Sequence, residues 1–161
     1  MLQHHHTAIT NHALATADTR EIIVSRFGEI VIDRRNTLFF TKGMLGMPHR
    51  QRFVLAEFPS ERMRNFKLLQ SLEEQTLAFI VLPIAIENSI VRADDLRHAC
   101  RDMAMREEDA LPLLIVCVHH EGAVSRLSVN ARAPVLLDTR RKTGMQFVFP
   151  HDYYNVQHYI S

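Results

Sequence analysis

The chain has 161 residues, of which 47% are hydrophobic and 23% are charged, a composition typical of a globular protein with enough apolar material for one core. Its 19 Lys and Arg residues nearly balance its 18 Asp and Glu residues, so the formal net charge is +1. This balance argues against a nucleic-acid-binding protein, which usually carries a basic excess, although it leaves room for a local basic patch. Length and composition together predict a single domain.

The N-terminal residues differ from the rest of the chain because they show no hydrophobic period. We predict that residues 1–19 form a flexible arm and that residues 20–161 form the domain. The arm contains no apolar core of the signal-peptide type, and no stretch of the chain approaches the ~20 apolar residues that a membrane span requires. A cytoplasmic location is therefore expected. The sequence leaves open whether the histidines at positions 4–6 are native.

Short apolar segments separated by turns predict a mainly β protein. Each segment has the length of a typical strand and is rich in Val, Ile, Leu and Phe. The predicted strands are Glu21–Ser25, Thr37–Phe40, Phe53–Phe58, Ala78–Leu82, Leu113–His119, Val124–Val129, Val135–Leu137 and Met145–Phe149. The run from Leu113 to Val118 is apolar throughout and is predicted to be buried on both faces. In the next strand, Leu127 and Val129 are predicted to face the core, and Arg126 and Ser128 to face water.

Turns and one helix complete the pattern. Residues 119–123 and 140–144 are predicted hairpin connections, the first using a positive φ at Gly122, and residues 42–48 form a further loop. Apolar residues recur at helical spacing in Ala93–Met105, after Asp94 and Asp95, which favour the start of a helix. Many short strands with one or two short helices predict a closed or nearly closed barrel, or a sandwich.

The cysteines do not point to a disulfide framework. Two residues, Cys100 and Cys117, are too few for one. Cys100 lies on the apolar face of the predicted helix, and Cys117 lies in an apolar run. Both are therefore predicted to be small buried side chains.

The ten histidines are arranged unfavourably for a metal site. His119 and His120 are adjacent, and adjacent residues of a strand point to opposite faces. No H-E-x-x-H or Cys-x-x-Cys motif occurs, so no metal is predicted. A metal-dependent enzyme that uses His119, His120 and His151 remains an alternative to be tested.

Other catalytic motifs are also missing from the sequence. No G-x-S-x-G motif is present, and 5 glycines are few for a phosphate-binding loop. Two adjacent acid pairs occur, Glu73 with Glu74 and Asp94 with Asp95. Such pairs are more typical of a solvated face or a helix start than of general acid–base partners. We therefore predict that the chain is not an enzyme and needs no cofactor.

Basic residues occur in several short clusters. They are Arg34–Arg35, Arg50 with Arg52, Arg62 with Arg64, and Arg140–Lys142. Nearby acids offset each cluster, which favours a solvated surface. The alternative is the rim of a partner-binding surface, where arginine pairs well with carboxylates.

Several segments carry, in order, the motifs of one family. Residues 37–48 look like a Phe-x-x-Gly-(Leu/Ile)-x-Gly-Phe loop, and residues 68–74 followed by 77–81 look like Leu-Gln-Ser-(Leu/Ile)-acid-acid followed by Leu-Ala-Phe. Residues 129–138 look like Ala-Asn-Leu-x-Ala-Pro-(Ile/Val)-x-(Ile/Leu)-Asn. This ordered set resembles the FliW family of flagellar assembly factors over roughly residues 27–159.

The resemblance implies a small β-barrel-like domain that regulates by protein–protein contact. FliW proteins bind the RNA-binding translational repressor CsrA and relieve its repression of flagellin synthesis. They also bind flagellin, so the two partners compete by mass action. Acids on such a protein could keep RNA from the repressor by like-charge repulsion. Glu73, Glu74, Asp94 and Asp95 are the predicted partner-binding residues, and no direct contact with nucleic acid or membrane is expected.

The chain departs from the family pattern in charge. Family members are typically acidic, whereas this chain is formally +1, with Ala131-Arg132 after the motif asparagine and Asp138 where Asn is common. These departures bear on the CsrA contact more than on the fold. The alternatives are a flagellin-binding, chaperone-like factor without CsrA antagonism and a direct RNA-binding regulator. The latter would show affinity that falls steeply with salt.

Overall fold

The computed structural model describes residues 18–161, which contain eleven strands, one α-helix and three short 3-10 helices. The strands are β1 (Arg20–Ser25), β2 (Gly28–Asp33), β3 (Leu38–Phe39), β4 (Arg52–Glu57), β5 (Lys67–Ser71), β6 (Ala78–Pro83), β7 (Ala110–Glu121), β8 (Val124–Val129), β9 (Val135–Asp138), β10 (Thr143–Gln146) and β11 (His158–Tyr159). The α-helix is α1 (Ala93–Asp102), and the 3-10 helices span Arg34–Asn36, Glu61–Met63 and Glu107–Asp109.

The large sheet closes on itself because one long strand has two partners along one edge. Its strands follow the order β11-β8-β7-β6-β5-β4-β3-β10-β9, and an additional pairing joins β9 to β7. The first residues of β7 pair with β9, from Ala110 opposite Asp138 to Leu113 opposite Val135. The later residues pair with β8, from Val116 opposite Val129. The predicted mainly β, barrel-like fold is confirmed.

Both faces of the barrel wall are buried, because successive residues of a strand point to opposite faces. Phe53, Leu69, Val81 and Leu113 belong to an apolar cluster that is formed only by strands of the ring and the loop after β3. Their sequence neighbours belong to a larger cluster together with α1 and β2; these neighbours are Val54, Leu68, Ile80 and Leu114. The helix and the β1–β2 hairpin thus cover the outer face of the wall. For this reason β4 to β7 lack the alternation of a half-exposed sheet.

Two glycines sit where backbone or side chains approach too closely for a Cβ atom. Gly43 has φ +63°, and a Cβ there would lie 2.3 Å from the Met47 carbonyl oxygen. A Cβ on Gly144 would lie 2.4 Å from Phe40 Cζ inside the barrel. The predicted loop at residues 42–48 is confirmed, and Met44 and Met47 form an isolated bridge across it.

Several element bounds differ from the prediction. Strands β2, β5 and β11 were not predicted, because none of them has a long apolar run bounded by turn residues. The helix begins at Ala93 as predicted but ends at Asp102, three residues short of Met105, where Ala104 turns to φ +51°. The strand expected at Met145–Phe149 is β10 and ends at Gln146. Gly122 has the predicted positive φ of +65°, in a two-residue turn between Glu121 and Val124.

Three burial predictions for β7 and β8 are wrong. Cys117 is exposed, whereas Cys100 is buried as predicted. The apolar run is buried from Leu113 to Leu114 and at Val116, but Val118 is 38% exposed, beyond Ile115, where the pairing of β7 with β6 stops. Ser128 is fully buried although it was expected to face water. Its hydroxyl lies 2.7 Å from His119 Nε2, which gives the buried oxygen a partner.

The predicted arm, residues 1–19, lies almost wholly outside the described residues. Within residues 18–161, no helix is both long enough and apolar enough to cross a membrane.

Candidate partner-binding surface

The turn between β5 and β6 presents the first acid pair, and the preceding Leu-Gln-Ser motif shapes it. Ser71 Oγ accepts hydrogen bonds from the N–H groups of Glu73 and Glu74, at 3.1 and 3.0 Å. The fully buried Gln70 donates from Nε2 to the Gln75 carbonyl at 3.0 Å and the Leu77 carbonyl at 3.2 Å. Gln70 and Ser71 of the motif therefore hold the backbone of the turn through contacts that do not involve either carboxylate.

Glu73 binds the start of β4. Its Oε1 accepts hydrogen bonds from the N–H groups of Gln51 and Arg52, at 2.6 and 2.7 Å. The hydrogen bond from the Arg52 N–H, which has the larger effect, and that from the Gln51 N–H hold the pKa of the Glu73 carboxyl below its ordinary value. Glu73 is thus part of the internal hydrogen bonding that joins the turn to β4.

Glu74 faces solvent. Its Oε2 lies 3.0 Å from Arg50 Nη2, and its side chain remains 45% exposed. An ion pair between two exposed side chains is weak and readily exchanged. Glu74 is therefore available to a partner in a way that Glu73 is not.

Asp94 and Asp95, the second acid pair, lie at the start of α1. Here the first acid faces solvent and the second is bound within the fold. Asp94 is 97% exposed and lies 3.5 Å from Arg97 Nη1. Arg97 is also held by Glu87 at 2.6 Å and by Glu107 at 2.9 Å, so it is not bound to Asp94 alone.

Asp95 faces the C-terminal segment. It accepts a hydrogen bond from the hydroxyl of Tyr154, and this hydroxyl accepts one from the Arg92 N–H at 3.1 Å. Burial, together with the bond to Asp95, raises the pKa of Tyr154. Asp95 therefore anchors the C-terminal segment to the start of α1.

The two acid pairs have separate sets of partners. Glu73 and Glu74 contact residues at the start of β4, whereas Asp94 and Asp95 contact α1 and Tyr154. Glu73, although exposed, and Asp95 are engaged in hydrogen bonds that join elements of the fold, whereas Glu74 and Asp94 make ion pairs with surface arginines.

The histidines of the alternative metal hypothesis have different neighbours. His119 bonds to Ser128, and His120 Nδ1 lies 3.0 Å from Ser125 Oγ. His151 packs among aromatic rings, 5.7 Å from the ring of Tyr154. Residues 18–161 contain no group of three His, Cys, Asp or Glu side chains that could hold a metal ion.

The first basic cluster is engaged with acids. Arg34 pairs with Glu21, and Arg35 pairs with Asp33, each at 2.8 Å. Hydrogen bonds from Arg35 and then Thr19 hold the pKa of Asp33 far below its usual range. These pairs neutralise much of the charge that would otherwise attract an anionic partner.

An exposed apolar face was missed by the sequence reasoning. The outward face of the β1–β2 hairpin carries Ile22, Val24 and Val31, which are 68%, 57% and 58% exposed. Ile22 lies opposite Val31 in the pairing register. Ile30, Val31 and Ile32 are all apolar, so residue type does not separate the exposed Val31 from its buried neighbours. The pairing of β2 with β1 decides which of them faces solvent.

Comparison with known proteins identifies the family. A family model described as FliW protein matches residues 21–160, which include every strand of the barrel. The chain belongs to the FliW family. The match includes the loop after β3, the Leu-Gln-Ser turn and both acid pairs.

Named relatives support this assignment. The chain is 30% identical over 141 residues to the flagellar assembly factor FliW of Leptospira interrogans, covering 87% of this chain and 92% of the relative. It is 28% identical over 132 residues to the flagellar assembly factor FliW of Clostridium botulinum, covering 81% of this chain and 90% of the relative. A crystal structure of the flagellar assembly factor FliW has the same fold, with a TM-score of 0.63 and 21% identity over 86% of this chain and 96% of that one.

Proposed function

We propose that this FliW-family protein is a flagellar assembly factor that binds the translational regulator CsrA and flagellin. Binding to CsrA would relieve repression of flagellin synthesis, and flagellin would compete for the same factor. The observation that carries the proposal is the family match across residues 21–160, together with relatives named flagellar assembly factors. Both partners are proteins in the cytoplasm, which is the location we propose for this chain.

The surface acids give the proposal a physical basis. Glu74 and Asp94 are exposed carboxylates whose only ion pairs among the described residues are with side chains at the surface. They are suited to pair with basic groups of an RNA-binding protein and to repel RNA phosphates nearby. Glu73 and Asp95 would act indirectly, by holding the turn and the helix start that present Glu74 and Asp94. No reaction is part of this function, and no cofactor or metal enters it.

A second candidate is a flagellin-binding, chaperone-like factor without CsrA antagonism. The formal charge of +1 favours it, because a less acidic surface would attract a basic RNA-binding partner less strongly. The paired state of Arg34 and Arg35 disfavours the third candidate, a direct RNA-binding regulator.

A pull-down with flagellin and CsrA from the same organism, side by side, separates these candidates. The proposal predicts that both partners are retained and that excess flagellin releases CsrA. Retention of flagellin alone would select the chaperone-like factor. Retention of neither partner would reject the proposal.

A further inference from the structure

Strands β6 and β7 separate from each other before either strand ends. Their pairing runs from Pro83 opposite Leu113 to Val81 opposite Ile115 and stops there. Yet β6 begins at Ala78, and β7 continues to Glu121. The diverging strands leave a cleft of about 530 Å³ between them.

Among the described residues, part of the β7 backbone along this cleft has no pairing partner. The Ile84 N–H donates to the Pro112 carbonyl at 3.0 Å, so even-numbered residues of β7 direct their polar groups toward β6. The Asn130 N–H donates to the Ile115 carbonyl at 2.9 Å, so odd-numbered residues face β8. Val118 and His120 therefore direct their N–H and C=O groups into the cleft, beyond the last residue of β7 that pairs with β6.

Most side chains that line the cleft are apolar, and the exceptions are Arg26, Cys117 and His120. Phe27, Phe79 and Val118 supply apolar surface, and no acidic side chain of the described residues lines the cleft. Arg26 also lines the cleft, with its guanidinium 4.8 Å from the Phe27 ring centre. It forms no ion pair with any residue in the described part of the chain. Within residues 18–161, the cleft thus combines a strand edge without a pairing partner, mainly apolar walls and a cation without an ion pair.

We propose that this cleft is a docking site for an extended peptide segment, which adds to the β7 edge at Val118 and His120. Main-chain hydrogen bonds supply the affinity in this mode of recognition, and pockets for alternate side chains supply the specificity. The occupant is a segment of another protein that places an apolar side chain against Phe27 and Phe79 and a carboxylate on Arg26. The charge complementarity with Arg26 favours this acidic segment over a nucleic acid or a second copy of the chain.

The probe is a fluorescein-labelled synthetic heptapeptide that alternates Val and Glu between Ser ends. Binding is followed by fluorescence anisotropy, and the binding site by two-dimensional NMR of the isotope-labelled protein. We expect saturable binding at or below about 1 mM, with the largest shifts at the amides of Val118 and His120. Arg26→Gln is expected to weaken binding about three- to fivefold, as the loss of one exposed charge pair implies. Arg64→Gln, which changes an exposed arginine outside the cleft, is the matched control and leaves binding unchanged.

Two N-methylated peptides test backbone pairing without changing the protein. Each is methylated at alternate residues, with opposite parity. One peptide lacks the N–H donors that face β7, and we expect it to bind about tenfold more weakly than the parent peptide, or weaker still. The other peptide keeps these donors, and we expect it to bind like the parent peptide. Equal affinity of the two peptides, or no saturable binding, would overturn the proposal. Dimerisation of the protein through the same amides would assign the edge to a second copy and overturn it as well. The test does not involve CsrA or flagellin, so its failure is distinct from a failure of the proposed function.

Discussion

The two acid pairs resemble each other in sequence and differ in how the fold uses them. In the turn after β5, the first carboxylate, Glu73, binds backbone N–H groups, and the second, Glu74, faces solvent. At the start of α1 the order is reversed, since Asp94 faces solvent and Asp95 binds Tyr154. Residue type does not decide which acid is available to a partner. The neighbours that each backbone brings within reach decide it.

The largest expected effect comes from breaking the anchor at the start of α1. Tyr154→Phe removes the hydroxyl that donates to Asp95 and accepts from the Arg92 N–H, in a residue that is only 5% exposed. We expect the free energy of unfolding to fall by about 1–2 kcal/mol, measured by urea denaturation. Tyr159→Phe is the control, because Tyr159 is 41% exposed. Loss of its hydroxyl should change the free energy of unfolding by less than about 0.5 kcal/mol. Equal losses in the two variants would contradict the anchor.

The next largest effect is expected at Glu73, the acid of the turn that binds backbone N–H groups. Glu73→Ala removes the acceptor for the Gln51 and Arg52 N–H groups, which resembles the loss of a helix cap. We expect a loss of about 1 kcal/mol and faster hydrogen exchange at these two amides. Glu74→Ala should leave both amides as protected as in the unmodified protein. Faster exchange in Glu74→Ala as well would show that the two acids act alike.

The same contact predicts a pH dependence of stability. Because the folded pKa of Glu73 lies below its unfolded value, its contribution is present above the unfolded pKa and is lost as pH falls through the folded pKa. The unfolded value is about 4.3, so the loss develops below roughly that pH. Urea midpoints measured from neutral pH down into this window should fall less steeply in Glu73→Gln than in the unmodified protein. The same pH dependence of the urea midpoint in both proteins would show that Glu73 does not contribute to it.

The smallest effects on stability are expected at the exposed acids. Glu74→Gln and Asp94→Asn should each change the free energy of unfolding by less than about 0.5 kcal/mol, because their ion pairs are at the surface. The double variant should nevertheless weaken CsrA binding about three- to tenfold, measured by calorimetry. Unfolding of the double variant, or unchanged CsrA affinity, would contradict the assignment of Glu74 and Asp94 as the partner-binding acids.

The sequence predicted the architecture better than the exposure of single side chains. Runs such as Leu113–Val118 identified strands, because a barrel wall buried on both faces needs apolar residues at every position. The same apolar run did not show where burial stops: Cys117 is exposed and lies beyond Ile115, the last residue of β7 that pairs with β6. The exposed Val31 was missed because its strand was not predicted.

The acids were found by sequence, but their roles were not. Neither the bond from Glu73 to the start of β4 nor that between Asp95 and Tyr154 is local, since the second joins residues 59 positions apart. Such contacts depend on which elements pack together. The Leu-Gln-Ser motif was recognised as a family feature, and the structure adds that Gln70 and Ser71 hold the backbone of the turn.

The proposed function is tested by calorimetric titration of the protein with CsrA and with flagellin from the same organism. We expect saturable binding of each partner and loss of the CsrA signal once flagellin has been added. We also expect Glu74→Gln with Asp94→Asn to reduce the CsrA affinity while the urea midpoint stays unchanged. Binding of neither partner by a correctly folded protein would reject the proposed function.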